Sequence, residues 1–453
     1  MKRKTTLIKA LVLASAPLVA APAGATDGYF QHGYGMKGKG MAGASTAATN
    51  DAFGGANNPA QMVFVGDRID FGVDAFSPQR SASRTGSDPL NMNLDGSADS
   101  DSTLFAIPEF GYIKLIDPKL ALGITVYANG GMNTDYPGDQ IPNASGCQGF
   151  YAAPPAGRFN LLCGTGRLGV DLSQLVVAPT VAYKLSDNHA LGIAPLFGYQ
   201  RFKAEGLQAF DNPGVSTSSG NVTNQGYDTA SGWGARIGWL GKITEELTLG
   251  AAYSTKIAMS KFEKYKGLFA EGGGFDMPEN YNIGLAFKAS PTVTVAADYQ
   301  RINYSKVKSV GNPSSLLLNC PAFGGADASA CLGGSNGAGF GWQDVNVWKL
   351  GVEYRHNDKL TLRGGYNHSD NPIKPKDVTI NILAPGVVQD HITLGLTYTF
   401  QGGGELTAAY MHAFQNSVTG SSFFSNNPGG FSAGNETIKM YENSLGIAYG
   451  WKM

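Results

Sequence analysis

The segment ITLGLTYTF, residues 392–400, decides how this chain is interpreted, and the turn QGGG, residues 401–404, follows it. Its apolar side chains alternate with threonine and glycine: Ile392, Leu394, Leu396, Tyr398 and Phe400. A period of two places the apolar residues on one face of a β-strand and the small or polar residues on the other. The segment therefore predicts a strand with one apolar face, ending in a short turn.

The same alternation recurs from about residue 68 to the C-terminus. The clearest further examples are residues 69–75, 233–239, 247–253, 281–287, 348–354 and 445–451. Glycine, threonine, asparagine and charged residues occupy the opposite positions. A soluble sandwich would turn such an apolar face towards a core, whereas a transmembrane barrel turns it towards lipid and keeps polar groups in its lumen.

The lengths of the connections distinguish these two folds. Short links at 116–119, 186–188, 243–246, 289–291, 357–359 and 401–404 alternate with long, polar, glycine-rich links at 77–102, 129–166, 207–225, 263–275, 310–342, 370–389 and 415–440. Six short and seven long links imply about 14 strands. Short turns on one side and long loops on the other are typical of bacterial outer-membrane barrels. The predicted fold is all-β, a transmembrane antiparallel β-barrel.

The composition and the N-terminal sequence agree with a location in the bacterial outer membrane. Charged residues make up 15% of the 453 residues, against roughly 25% in soluble proteins. The net charge of −1 excludes the basic surface of a nucleic-acid-binding protein. Lysine and arginine at 2–9, an apolar stretch at 10–21 and the A-x-A site at Ala23 to Ala25 predict a signal peptide spanning residues 1–25. The alternative is a retained membrane anchor.

Four cysteines fit an oxidising compartment. Cys147 and Cys163 flank one glycine-rich stretch, and Cys320 and Cys331 flank another. Pairing of nearest neighbours would close two local loops, although four cysteines allow three connectivities.

Residues 26–67 precede the first strand and lack its alternation. A barrel of about 14 strands leaves a lumen that its own side chains cannot fill. Tyr29, Phe30, Met36 and Phe53 give this segment apolar material to pack. We therefore predict a plug, or hatch, at 26–67 and a barrel at 68–453; the alternative is a flexible periplasmic tail.

The hatch carries a family resemblance. GYGMKGKGMAGAS at 33–45, NDAF at 50–53 and NNPA at 57–60 resemble the hatch of the FadL family, and FDMPE at 275–279, which opens a strand, resembles the D-[LM]-P step of those proteins. These are outer-membrane transporters of long-chain fatty acids and, in a toluene-type branch, of aromatic hydrocarbons. The hatch residues so identified are Phe53, Asn58, Pro59 and Ala60.

Asn58, Pro59 and Ala60 lie just before the first strand. Pro59 fixes its own φ and biases Asn58 towards extended geometry, while the Asn58 amide can bond to the barrel wall. The motif could thus anchor a plug that moves when ligand binds. Alternatively, it only turns the chain into strand one.

The resemblance implies capture by outer loops, binding inside the barrel and lateral release where the third strand kinks. That strand is predicted at 120–128, and Asn129, Gly130 and Gly131 follow it. Glycines there would interrupt side-chain packing and strand pairing. The alternative is an ordinary start of a loop.

The ligand is the least determined feature. The carboxylate of a fatty acid needs a cation inside an apolar pocket, whereas an aromatic hydrocarbon needs none. Alternation places four cations in the lumen: Arg236, Lys256, Lys349 and Arg363. Four acids also face inward and could pair with them: Asp70, Asp74, Asp298 and Glu353.

Other classes remain open at this stage. A general hydrophilic porin, a loop-based adhesin and a barrel lipase share parts of the pattern, although no Ser–His pair for a lipase stands out. We expect no enzyme activity, no cofactor, no metal and no nucleic acid partner. The expected partners are a hydrophobic small molecule, outer-membrane lipid and lipopolysaccharide, around a monomeric barrel.

Overall fold

The computed structural model describes residues 27–48, 51–142, 145–151, 153, 155–427 and 429–453. The predicted signal peptide lies outside the described residues. The barrel strands are β1 (Arg68–Ser87), β2 (Phe105–Asp117), β3 (Leu120–Tyr136), β4 (Leu168–Lys184), β5 (His189–Glu205), β6 (Asp228–Lys242), β7 (Leu247–Ser254), β8 (Asn280–Ser290), β9 (Val293–Ile302), β10 (Val345–Arg355), β11 (Leu360–Ser369), β12 (Asp390–Thr399), β13 (Gly404–Ser421) and β14 (Ala433–Lys452).

Each barrel strand pairs with its neighbours in chain order, and all pairs are antiparallel. Strand β1 pairs with both β2 and β14, so the sheet closes and keeps no free edge. The predicted class, a closed antiparallel barrel of 14 strands, is confirmed. Two further short strands, Gly96–Asp99 and Ala258–Met259, pair with the outer parts of β1 and β6.

Helical structure is confined to short turns in the part of the chain that the structure describes. The α-helical turns are Met36–Lys39, Met62–Val65, Ser145–Gln148, Ala270–Gly273 and Lys308–Gly311. The 3-10 turns are Pro59–Gln61, Gln208–Phe210, Glu263–Tyr265, Tyr304–Lys306, Ser314–Asn319, Pro321–Phe323, Ala328–Ala330, Pro375–Asp377, Ile380–Ile382 and Phe423–Ser425. None of these described helices has both the length and the apolar character needed to cross a membrane.

The apolar face of each strand points outward, as the alternation predicts. Trp233 is 65% exposed and Leu394 is 66% exposed, while the residues next to them, Gly232 and Thr393, face the lumen. An exposed apolar band of this kind is stable only against lipid.

The six short turns fall where the sequence predicts them, but several strands are longer than predicted. Strand β1 extends to Ser87 and β3 to Tyr136, into segments assigned to loops. The reason is visible in RSASRTGS at 80–87, which has no apolar face. Beyond the lipid, an outward side chain meets water, so the alternation that reveals a membrane strand is absent.

The long loops carry both disulfides, Cys147–Cys163 and Cys320–Cys331, which confirms nearest-neighbour pairing. Beneath the loops, residues 27–48 and 51–65 lie inside the barrel, where nearly all are buried.

The hatch rests on a ring of lumen-facing glycines, the glycine collar. At each of these positions a Cβ would meet hatch atoms within 3.1 Å: Gly111, Gly123, Gly192, Gly238, Gly250, Gly284, Gly351, Gly365, Gly395 and Gly446. A missing side chain lets one backbone approach another closely. The collar therefore lets the hatch pack closely against the barrel wall.

Candidate functional site: the plugged lumen

A belt of polar side chains lies one or two lumen-facing positions beyond the collar. This polar belt consists of Arg236, Asn282, Asp298, Lys349, Asn367, His391 and Glu442, most of them buried. Four of them stand directly opposite one another on adjacent strands, in the order Asp298, Lys349, Asn367 and His391. Inward-facing positions in register bring their side chains to one level of the wall.

Two cations of the belt hold the hatch by its backbone. Arg236 donates to the carbonyls of Gly55, at 3.0 Å, and Ala56. Lys349 donates to the carbonyl of His32 at 2.9 Å and to the side chain of Gln300 at 2.9 Å. Both cations are therefore bonded to neutral oxygens of the plug.

The same two cations line one small cavity between hatch and wall. Its volume is about 10 Å³, and its lining is mainly polar: Tyr34, Asn57, Arg236, Asn280, Asn282, Gln300 and Lys349. The cavity presents two positive charges and several amide groups. Such a lining suits a small anionic group more than a hydrocarbon.

The other two predicted cations do not share this environment. Arg363 lies in the lumen, but Glu353 pairs with it at 2.7 Å and Thr397 accepts a further hydrogen bond. The prediction that Lys256 faces the lumen is wrong. Its side chain is 44% exposed and pairs with Asp276 at 2.6 Å, because β7 ends at Ser254 and the alternation stops there.

Three of the four inward acids bind the hatch rather than one of the four predicted lumen cations. Asp74 pairs with Lys39 of the hatch at 2.8 Å, and Asp298 accepts from the backbone N–H groups of Ser45 and Thr46. Asp70 pairs with Arg68 at 2.7 Å and also accepts from Ala52. Among the described residues, Glu353 is the one of these four acids that forms a salt bridge with a predicted lumen cation, Arg363.

The Asn-Pro-Ala motif lies between hatch and wall. The Asn58 amide donates to the carbonyls of Thr46, at 2.9 Å, and Trp239 on β6, at 2.8 Å. Its side-chain oxygen accepts from Ala60 at 3.1 Å and caps the turn Pro59–Gln61. Phe53 is also buried, with its ring against Gly35.

The glycines at 130 and 131 lie inside β3 and not at the start of a loop. The β3–β4 register shifts between Ala128 and Gly130. The β2–β3 ladder stops at the pair Phe110 and Val126, so the outer half of β3 has no β2 partner. The wall is therefore interrupted beside a bulge.

The N-terminal part of the hatch bonds to this bulge. Phe30 forms an isolated bridge with Gly130, and Gly131 donates to the carbonyl of Tyr29 at 3.2 Å. A Cβ at Gly130 would collide with that same carbonyl. Asn129 donates to Gln174 at 3.1 Å and accepts from the hydroxyl of Tyr34. Hatch and bulge thus form one hydrogen-bonded unit.

A second cavity adjoins the bulge and is mainly apolar. Its volume is about 30 Å³, and it is lined among others by Tyr29, Phe76, Met132, Trp342 and Met440. Tyr304 of an outer loop packs edge-on against both Tyr29 and Trp342. The loops, the hatch and the bulge therefore meet at one place.

Several belt groups lack hydrogen-bond partners although they are buried. They include both ring nitrogens of His391, both carboxylate oxygens of Glu442 and the side-chain oxygen of Asn367. His32 of the hatch stacks over His391, with ring centroids 6.4 Å apart. Burial, with Lys39, His391 and Lys349 nearby, holds the pKa of His32 well below its ordinary value, so this ring stays neutral. Sequence reasoning missed His391 and Glu442, although both sit at lumen-facing positions of the alternation.

Among the described residues, no group of three or more histidine, cysteine, aspartate or glutamate side chains could hold a metal ion. The fold and the plugged lumen define an outer-membrane barrel that holds an internal plug. The sequence profile of the outer membrane protein transport family (OMPP1/FadL/TodX) matches residues 164–433. The chain belongs to this family of outer-membrane transport proteins.

Solved structures share the fold at low sequence identity. The chain is 17% identical to the toluene transporter TodX of Pseudomonas putida, with a TM-score of 0.67 over 93% of this chain and 99% of that one. It is 18% identical to the toluene transporter TbuX of Ralstonia pickettii, with a TM-score of 0.61 over 93% and 99%. For a FadL homologue of Pseudomonas aeruginosa the identity is 14% and the TM-score 0.62, over 94% and 99%. No curated protein matches the chain in sequence.

Proposed function

We propose that the protein is a channel for passive uptake of hydrophobic molecules, and that its ligands are long-chain fatty acids. The observation that carries the ligand class is the pair of buried cations, Arg236 and Lys349, that line one small polar cavity between hatch and wall. A fatty acid needs a cationic site for its carboxylate and an apolar space for its chain. The cavity at the bulge has a mainly apolar lining, but its volume is about 30 Å³, so it would hold such a chain only after the hatch shifts and enlarges it.

The two cations also suggest how binding releases the hatch. Each now donates to backbone carbonyls of the hatch. A carboxylate would attract each cation by its full charge as well as accept its hydrogen bonds, whereas a backbone carbonyl offers only the hydrogen bond. A ligand carboxylate in the cavity would therefore compete with Gly55, Ala56 and His32 and loosen the plug from the wall.

Release of the ligand would follow the interrupted wall. The bulge at Gly130 lies where β3 lacks a β2 partner, and the hatch covers it from inside. Once the hatch shifts, the opening would lead sideways into the membrane. Replacing Gly130 and Gly131 with valine should block this route, while retained heat-modifiable gel mobility would report an intact barrel. Unchanged uptake in that folded variant would exclude the bulge from the route.

The ligand class is tested by comparing two substrates in the same cells. The double variant Arg236→Gln/Lys349→Gln should reduce uptake of a long-chain fatty acid much more than uptake of toluene. Lys256→Gln, which removes an exposed cation paired with Asp276, is the matched control and should leave both unchanged. An equal loss for both substrates would mean that the two cations only seat the hatch.

Aromatic hydrocarbons are the second candidate, favoured by the aromatic lining of the cavity at the bulge. Structures of the same fold include two proteins described as toluene transporters. Under this alternative, toluene uptake would exceed that of fatty acids and would not depend on Arg236 or Lys349.

A further inference from the structure

The gap between β2 and the outer half of β3, which we call the slit, is closed at both ends. Towards the short turns, the β2–β3 ladder ends at the pair Phe110 and Val126. Towards the long loops, the N–H of Asp101 donates to the carbonyl of Asp135 at 2.9 Å, and these residues form the rim of the slit. Between the two ends, β3 has no β2 strand beside it, so its backbone groups need other partners.

Arg80 joins the two sides of the slit just inside the rim. It is buried on the lumen face of β1. Its two terminal nitrogens donate to the carbonyls of Asn133, on β3, and Ser102, in the link before β2. The guanidinium therefore holds both edges of the slit, and both of its acceptors are neutral.

A second arginine on the same face of β1 has a different kind of partner. Arg84 stands opposite Glu436 of β14, and its Nε donates to that carboxylate at 2.8 Å. Arg80 stands opposite Met440, and Glu442 is its diagonal neighbour on β14. A long side chain can reach a diagonal neighbour, and the charges of Arg80 and Glu442 act on each other electrostatically. The register thus offers a carboxylate to Arg80 as well.

Glu442 has no partner in the closed slit. It is fully buried, and neither of its carboxylate oxygens has a hydrogen-bond partner among the described residues. Asp27 of the hatch also acts on it electrostatically, but an acid cannot compensate another acid. A buried carboxylate without a partner is costly. Arg80 therefore has two alternative sets of acceptors, two neutral carbonyls or one carboxylate, and the closed slit uses the carbonyls.

The hatch keeps Arg80 in its present arrangement. Gly28 and Tyr29 of the hatch line the cavity at the bulge together with Arg80 and Asn133, and its volume is about 30 Å³. That space holds about two water molecules, which is too little for a guanidinium to change its partners. A shift of the hatch would supply the missing room.

We propose that Arg80 is the latch of the slit: it holds the slit closed through Asn133 and Ser102, and it moves to Glu442 when the hatch shifts, so that the slit can widen. Arg80 is thus a positioning residue, and Glu442 stabilises the open slit because it gains a partner only there. The use of the latch in transport rests on the lateral route proposed above, whereas the change of partners does not.

Amide hydrogen exchange at the rim measures opening without any ligand. The N–H groups of Asp101 and Asp135 donate across the slit, to the carbonyl of Asp135 and to Ser100 Oγ, and exchange when the rim opens. Glu442→Gln removes the charged acceptor of the open slit and leaves the bonds of the closed slit in place. Exchange of both amides should slow by about fivefold, which corresponds to about 1 kcal/mol, a low value for a buried pair of charges.

A second substitution distinguishes a latch from a general structural role. With Glu442→Gln in place, Arg80→Gln removes only the bonds that close the slit, so exchange should become faster again. The matched control is Arg301→Gln on β9, which removes a wall arginine paired with Asp344 at 3.0 Å and should not restore exchange. If Glu442→Gln does not assemble, as judged by heat-modifiable mobility, Glu442→Met gives the same comparison.

The outcomes separate the latch from the transport route. Unchanged or faster exchange in Glu442→Gln, or no recovery on adding Arg80→Gln, would overturn the latch. Uptake of oleate and of toluene, measured in the same variants, should fall in Glu442→Gln and recover in the double variant. If exchange follows the prediction while uptake of both stays at the wild-type level, the latch stands and the lateral route is wrong.

Discussion

The glycine collar and the polar belt contact the same hatch in opposite ways. At the collar, backbone packs on backbone, and Asn58 bonds to Thr46 and Trp239. At the belt, long polar side chains contact the hatch, and His391, Asn367 and Glu442 retain unpartnered atoms. Close packing leaves the collar no alternative arrangement, whereas unpaired polar groups can accept water or ligand. We therefore expect the collar to hold the hatch in place. We expect the belt to let the hatch move when water or ligand binds there.

The largest effect should come from filling the collar. In Gly192→Val/Gly238→Val, the new side chains would collide with Pro59, Ala60 and Asn58. Overpacking costs about 1–3 kcal/mol per site, and about 1.4 kcal/mol corresponds to a factor of ten in an equilibrium. We expect an assembled barrel with a displaced hatch, measured as a large rise in basal conductance in planar bilayers.

The control is Gly364→Val/Gly402→Val. Gly364 faces outward with its nearest atom 3.7 Å from a Cβ, and Gly402 has nothing within 4 Å. This control should behave as wild type. If filling the collar leaves basal conductance low, the collar does not position the hatch.

A smaller effect is expected from Asn58→Ala. The substitution removes two donated hydrogen bonds and the cap of the turn Pro59–Gln61. At about 0.5–1.5 kcal/mol for each hydrogen bond, the hatch should loosen without unfolding the barrel. Heat-modifiable mobility should stay normal while basal conductance rises or uptake falls. Wild-type values of both would show that the motif only turns the chain into β1.

Tyr304→Phe tests the connection from the loops to the hatch, and its effect should be smaller again. The hydroxyl donates to the carbonyl of Asp27 and accepts from the N–H of Tyr29 at 3.1 Å. Losing it should cost about 1–2 kcal/mol of hatch stability, measured as faster protease cleavage within the hatch. Tyr410→Phe, which loses an exposed bond to Asn443, should not change that rate. Equal cleavage rates in Tyr304→Phe and wild type would show that this contact from the outer loop does not stabilise the hatch.

The smallest effect is predicted at the belt itself. In His391→Phe, a ring of similar size replaces an imidazole whose two nitrogens have no partner. Removing an unpaired buried polar group is neutral or stabilising. The melting temperature should stay the same or rise slightly, in contrast to the collar variants. A clear fall would show that His391 is bonded in the membrane-embedded protein and would weaken the distinction between collar and belt.

Much of the barrel could be predicted from local pattern. The turns at 243–246 and 401–404 lie where predicted, and both disulfides join nearest neighbours. Period-two alternation and short turns involve residues close in sequence, so they are readable without a structure. The same rule failed at Lys256, because it holds only while the strand continues and β7 stops at Ser254.

The site was less predictable. Alternation identified Arg236, Lys349 and Arg363 as lumen cations but could not tell that Glu353 satisfies Arg363. The collar was visible as glycines at 238, 284, 351 and 365 opposite apolar residues. Their role in packing against the hatch could not be predicted. It depends on which hatch atoms occupy the space of the missing side chain, and the sequence does not show those atoms.

The sequence by itself determined the lipid-facing surface, the number of strands and the alternation of short turns with long loops. Each of these follows from alternation and link length, which are local properties. The tertiary structure alone decided which lumen groups form hydrogen bonds and which have no hydrogen-bond partner. Lys349 bonds to His32, 317 residues away in the chain, and Asp298 accepts from the N–H of Ser45, 253 residues away. Hydrogen bonding inside a closed barrel depends on distances through space, and no pattern along one strand records them.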